Sequence, residues 1–270
     1  MTEGPPLERV RLARALFPDL AAELDGALAR HGGDDTASFD DWLDGAATEM
    51  LGGIGFDEVA DPAISARFEA AFAAARAAAD RLGAPLPEPE AFTAAGVPFE
   101  RLASAMAADP ELLPVPAPHG LGSERWRRAF AHGDVDGLVL ATEALREFDA
   151  LDALDATPTG EAAPPAVEAP GGVRWTLRLV PAGHRPARLG LGFSHGPHPT
   201  LPEMLMLQLM RVMSGEPPVD AESFTWLSGS LADGRLAARH VYDASDGVVR
   251  ISCREVGSQG PHLGARPPVG

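Results

Sequence analysis

The spacing of apolar residues changes period part-way along this 270-residue chain, and the change falls at a stretch with almost nothing to bury. That stretch, residues 156–172, reads Ala-Thr-Pro-Thr-Gly-Glu-Ala-Ala-Pro-Pro-Ala-Val-Glu-Ala-Pro-Gly-Gly, the composition of an extended, semi-stiff linker. Before it, apolar residues recur at helical intervals; after it, they alternate with polar ones. A pattern with a period near 3.6 residues cannot serve as a half-buried strand, nor a period of two as a helix. The expected organisation is therefore an acidic, all-helical region over residues 1–155, a linker over 156–172 and a sheet module over 173–270.

Start and stop signals divide the first region into helices. Leu7 to Leu16 and Pro18 to Arg30 carry helical apolar spacing, with Pro18 suited to a first turn and Gly32-Gly33 to a stop. Ser38 leads into Trp42, Leu43, Ala46 and Met50, closed by Gly52-Gly53. The strongest helix opens at Asp61-Pro62 and runs through Phe68 and Phe72 to Leu82 and Gly83, with an Asp cap, a first-turn Pro and a terminal Gly. A Pro-rich loop over 84–90 precedes shorter helices near 98–108 and from Ser123 to Gly133, and Asp134 is placed to cap a last helix over Leu138, Leu145, Phe148 and Leu151.

In the second region Val173, Trp175, Leu177 and Leu179 alternate with Arg174, Thr176 and Arg178, and Ala187, Leu189, Leu191 and Phe193 alternate with polar or small residues. Both read as half-buried strands. Leu201–Met213 reads as a helix apolar on nearly every side, a helix that needs cover all round. Three further strands are expected near 223–231, 235–242 and 247–256, joined by hairpin chemistry at Asp233-Gly234 and at 243–247. Two strands, one helix and a three-strand meander make an α+β module, an antiparallel sheet of about five strands crossed by one helix. The tail over 257–270 is read as an extension of it.

Charge is as unevenly distributed as period. Residues 1–155 hold 29 acidic residues and 12 Arg, whereas residues 156–270 hold 10 of each, so the net charge of −17 belongs to the first region. The acidic cluster Asp34, Asp35, Asp40, Asp41 and Asp44 lacks the Gly and Glu placement of a calcium loop and reads as solvated. All 22 basic residues are Arg and Lys is absent, a codon bias that suggests a GC-rich bacterial source. Every fixed cation is consequently a planar five-donor guanidinium. A chain this acidic, without a recognised nucleic-acid motif, is not expected to bind nucleic acid. The single cysteine, Cys253, excludes an internal disulfide and a multi-thiolate metal site. It falls with Val249 and Ile251 on the apolar side of the last strand and reads as an inert thiol. With no apolar run of membrane length and no signal-peptide pattern at the start, a soluble cytoplasmic protein is expected.

Three sets of residues could carry function. Gly192-Phe193-Ser194-His195-Gly196 fits the Gly-x-Ser-x-Gly elbow, and a small serine hydrolase would use Ser194 as nucleophile. Its base would be His195, His240 or His262, oriented by Asp233, Asp243 or Asp246. Against it, Pro197, Pro199 and Pro202 delay the helix that an elbow should start at the nucleophile. His195 and His198, with His184 or His262 approaching in space, could hold a metal, although their spacing in a Pro/Gly loop is not a specific ligand pattern. The third set is a row of cations: if the pleat alternation holds, Arg174, Arg178, Arg188, Arg250 and Arg254 leave one side of the sheet together. Such a face would dock an acidic protein surface or an anionic ligand through bidentate contacts. In the absence of a complete catalytic set or a cofactor motif, the sequence points to a non-catalytic accessory, adaptor or regulatory protein working through a protein partner or homo-oligomer.

Overall fold

Asp61 and Gly83 bound α1 (Pro62–Leu82) as the capping rules require: the Asp61 carboxylate accepts from the Ala63 amide at 2.9 Å, and Gly83 closes the helix in the left-handed region at φ 63°. The structure, a computed structural model, describes Phe56 and residues 59–131, 136–154 and 164–270. Residues Glu58–Gly270 form one unit and Met1–Asp57 another. The helices expected over 7–16, 18–30 and 38–50, the acidic cluster at 34–44 and the Asp134 cap all lie outside the described residues. Of the expected linker, residues 164–172 are described.

The unit has the α+β architecture expected, with its strands in two sheets. After α1 come α2 (Pro89–Ala94), α3 (Phe99–Ala108), β1 (Leu112–His119), α4 (Ser123–Phe130), β2 (Gly137–Leu140), α5 (Thr142–Arg146) and α6 (Phe148–Asp152). Next are β3 (Ala166–Ala169), β4 (Val173–Pro181), β5 (Arg188–Leu189) and a short 3-10 turn over Phe193–His195. The chain ends with α7 (Leu201–Met213), β6 (Phe224–Leu231), β7 (Leu236–Asp243), β8 (Val248–Glu255) and β9 (Leu263–Ala265). One sheet has the order β1-β4-β3 and the other β2-β8-β7-β6-β9-β5. Among the described residues no helix is long and apolar enough to cross a membrane.

Four strands lie where alternation predicts none: β1, β2, β3 and, in the tail over 257–270, β9. β1 reads Leu-Leu-Pro-Val-Pro-Ala-Pro-His and pairs antiparallel with β4 along its whole length, Leu112 opposite Pro181 and His119 opposite Arg174. Prolines ordinarily argue against a strand. Here Pro114, Pro116 and Pro118 recur every second residue on an edge strand, so all three turn their missing N–H away from β4 and none costs a ladder bond. β2 pairs parallel with β8, which puts Leu138 in a strand and splits the helix expected over 138–151 into the short α5 and α6. β3, inside the stretch read as a linker, pairs with the other side of β4. The region before residue 156 is thus not all-helical, and the helices after residue 58 share one unit with the sheets.

Strand β4 also differs from a half-buried strand. With β1 and β3 flanking it, eight of its nine residues are buried, Thr176 and Arg178 among them. Its polar face meets α7. Thr200 accepts from the Glu203 amide and Glu203 accepts from the Thr200 amide, the reciprocal capping box. The same Glu203 carboxylate accepts from Arg178 Nε at 2.6 Å and Nη2 at 2.7 Å. Burial raises the Glu203 carboxyl, and the Arg178 guanidinium outweighs it and holds the group below its ordinary range. α7 itself is covered by its own unit, packing against α1 and β1, with Met204, Met206 and Met210 buried. Gln208 spends its amide on both backbone groups of Val219.

Arg178→Met leaves the buried Glu203 carboxylate without its counter-charge and is expected to lower stability by about 3–5 kcal/mol in urea unfolding. Adding Glu203→Gln removes the orphaned charge while a Gln can still close the capping box, so the double variant should recover most of the loss. A double variant no more stable than the single one would rule out the buried charge as the cause.

Candidate functional site

The hairpin β7–β8 sets up the site. Its turn at 243–247 and register, with Arg239 opposite Ser252 and Val241 opposite Arg250, put Arg239, Val241, Arg250, Ser252 and Arg254 on one face. Val249, Ile251 and Cys253 take the other face with His240 and Ala238. Across β6, Trp226 lies opposite Arg239, which adds Trp226 and Phe224 to the arginine face. This is the outer face of the six-stranded sheet. The turn after β6 is built from Ala232, Asp233 and Gly234, all at positive φ, as its Asp-Gly sequence predicted.

The aromatic end of this face is capped by the loop over 190–198. Trp226 donates its indole N–H to the Leu191 carbonyl at 3.0 Å, and Phe193 meets Trp226 edge-on at 5.7 Å. His198 stacks on Phe193 at 5.2 Å with Nε2 2.7 Å from the Phe193 carbonyl oxygen. The strand expected over 187–193 shortens to β5, which pairs with β9. Gly264 permits that pairing, because a Cβ there would stand 2.5 Å from both the Arg188 carbonyl oxygen and Pro186.

The five arginines expected on one face divide between two sheets. Arg174 and Arg178 lie on β4 of the three-stranded sheet, Arg188 on β5, and Arg250 and Arg254 on β8. The reason is long-range pairing: β4 takes β1 and β3 as neighbours and never joins the meander. Arg178 is buried against Glu203, and Arg250 is paired with Asp243 at 2.8 Å and with Asp246. Arg188 is exposed at the sheet edge. Arg254 remains on the outer face, joined by a residue the sequence reading missed, Arg239.

Arg239 is the distinctive member. It is half-buried, its guanidinium sits 4.1 Å from the centroid of the Phe224 ring, and Nε donates to Ser252 Oγ at 2.9 Å. Burial and the neighbouring Arg254 cation push its pKa below the ordinary value. Among the described residues neither Arg239 nor Arg254 has a carboxylate partner. Extending the pleat from β8 through the 243–247 turn could have found Arg239, but only once the register was known.

Among the described residues no side-chain hydrogen bond joins Ser194 to His195, His240 or His262, and none joins those histidines to Asp233, Asp243 or Asp246. Ser194 and His195 are exposed on the 3-10 turn above the outer face, whereas His240 is buried on the opposite face of the sheet. Asp243 and Asp246 are engaged by Arg250, and His262 is an exposed residue beside Glu222. Of the two histidines weighed as metal ligands, His195 is exposed and His198 is committed to Phe193. Among the described residues no group of three His, Cys, Asp or Glu side chains is placed to hold a metal ion. Cys253 is half-buried, its thiol raised by burial and then by Glu143.

Two buried polar networks were not anticipated. Asp220 accepts from Arg266 Nη2 at 2.7 Å and stands 2.9 Å from His240 Nδ1, with all three side chains fully buried. Burial raises the Asp220 carboxyl, and Arg266 with His240 overcomes it to hold the group low. The second network joins His119, 3.0 Å from Thr176 Oγ1, to Asp152, which accepts from the Gly122 amide at 2.7 Å and whose backbone carbonyl accepts from the Gly120 amide. Both networks are enclosed by protein.

No family model matches the chain, and comparison with curated proteins and with solved structures finds no match.

Burial pushes His119 down to about 4 and Asp152 up to about 6. For His119, lowered from 6.5, the stability contribution is complete above the unfolded value and is lost as pH falls towards 4. For Asp152, raised from 3.8, the contribution is complete below the unfolded value and is lost as pH rises through 6. The two oppose each other over one window with similar size, about 3 kcal/mol each at 1.36 kcal/mol per pKa unit. Relative to wild type, Asp152→Asn should lose stability as pH drops from 6.5 to 4, and His119→Gln should lose it as pH climbs from 4 to 6. Urea midpoints measured across that range check this; parallel profiles for wild type and both variants would refute it.

Proposed function

We propose that the protein is a non-catalytic accessory or adaptor protein of the cytoplasm that works through protein contacts made by the outer face of the six-stranded sheet. The observation that carries this reading is the pair Arg239 and Arg254, adjacent cations with no carboxylate partner among the described residues. In a chain with 39 acidic residues against 22 arginines, an internal carboxylate is easily supplied, as Arg250 illustrates on the same face. A half-buried cation left without one retains an unmet demand that a partner's surface can meet. Arg and aromatic side chains are also the types that dominate binding energy at protein interfaces, and Phe224, Trp226 and Phe193 lie beside this pair. A single cysteine suits a reducing compartment.

The test is a cross-linking capture from lysate with the wild-type chain and with Arg239→Gln/Arg254→Gln as baits. A specific protein partner retained by the wild type and lost by the equally folded double variant is the expected result; identical capture by both would overturn the assignment of this face. A fluorophosphonate probe separates the hydrolase alternative, since only an activated hydroxyl reacts. No labelling dependent on Ser194 is expected, and labelling abolished by Ser194→Ala would replace the adaptor reading with a hydrolase.

A further inference from the structure

We infer that Arg239, Ser252 and Arg254 form a receptor for carboxylates, and that its occupant is an acidic segment of a partner protein. The inference rests on the reading of this face as a protein-contact surface and names the chemistry it recognises. Three details of geometry carry it. Arg239 lies over the Phe224 ring at 4.1 Å, and its Nε is already spent on Ser252 Oγ, so the stack and this bond hold the guanidinium while its two terminal nitrogens stay available as a paired donor edge. Because Ser252 Oγ accepts that bond, its own hydroxyl proton is free to be donated to an incoming oxygen. Arg254, two residues along β8 on the same face, is exposed and brings a second guanidinium to the same place. Every group presented is a donor, and two of the three are cations; an anion with paired oxygens completes them.

Carboxylates of a folded or extended polypeptide fit better than the alternative polyanion. Nucleic acid carries a charge about every 1.7 Å along the duplex and would bring many phosphates against a chain of net charge −17. A short acidic segment needs to place only a few charges. Its distant repulsion is screened beyond roughly 8 Å at physiological salt, while contact with the two guanidiniums is not. The aromatic strip of Phe224 and Phe193 alongside would receive an apolar side chain of the same segment.

Fluorescence anisotropy on the full chain tests this with a labelled Asp/Glu-rich peptide, its Asn/Gln counterpart, a single-stranded oligonucleotide and inorganic phosphate as competitor. The acidic peptide should bind, weaken with added salt, and lose at least tenfold in affinity to Arg239→Gln/Arg254→Gln, with a smaller loss for Ser252→Ala. Arg101→Gln, an exposed arginine on α3, should bind as wild type does. The inference is overturned if the double variant binds the acidic peptide as tightly as wild type, if the Asn/Gln peptide binds equally, or if the oligonucleotide binds in preference. Displacement by millimolar phosphate as complete as by unlabelled peptide would likewise overturn it, in favour of a small-anion site. Should the double variant lose its captured protein partner while wild type ignores acidic peptides, the contact surface stands and the carboxylate assignment alone falls.

Discussion

The buried Arg266–Asp220 ion pair ties together the segments on which the outer face depends. Arg266 follows β9, yet its Nη1 donates to the Pro181 and Gly183 carbonyls at the end of β4, while Nε reaches Thr225 on β6. Asp220 connects the same guanidinium to His240 on β7. One fully buried cation therefore fastens the end of the three-stranded sheet to three strands of the six-stranded one. Asp220 holds a left-handed backbone at φ 62°, a conformation that costs a non-glycine residue roughly 1–2 kcal/mol. The strain is offset by the hydrogen bonds its carboxylate accepts. A charge removed from water is costly unless it is paired and hydrogen-bonded, so this arrangement is held to a single geometry.

The contrast between Arg178 and Arg239 separates scaffold from candidate site. Both are at least half-buried and both sit on strands. Arg178 is completed internally by Glu203, in bidentate geometry, and what that pair does is lock α7 to β4. Arg239 is held by a ring and a hydroxyl, neither of which neutralises it. Desolvation without neutralisation is what distinguishes Arg239 from Arg178 and is the reason the contact site is proposed there. The loop over 190–198, whose Gly-x-Ser-x-Gly pattern suggests a nucleophile, instead anchors Phe193 over Trp226 and closes the aromatic end of the same face.

Much of the local structure was legible in the residues. α1 and α7 begin and end where their caps and prolines place them, because capping is settled by groups within four residues of each other. The strands β4, β6, β7 and β8 lie where alternation puts them. β1 and β2 were not legible: one hides behind three prolines whose cost vanishes only on an edge, and the other has four residues and a parallel partner more than a hundred positions away.

What the residues alone determined was the kind of element at most positions, since period, caps and turn chemistry act over a few residues. They also determined the excess of acid over base and the guanidinium character of every fixed cation. Which strands share a sheet was decided only by the tertiary structure, because pairing energy depends on neighbours brought from far along the chain. That decision removed Arg174 and Arg178 from the arginine face, brought Arg239 onto it, and buried His119, Asp152, Asp220 and His240 where no local pattern announced them.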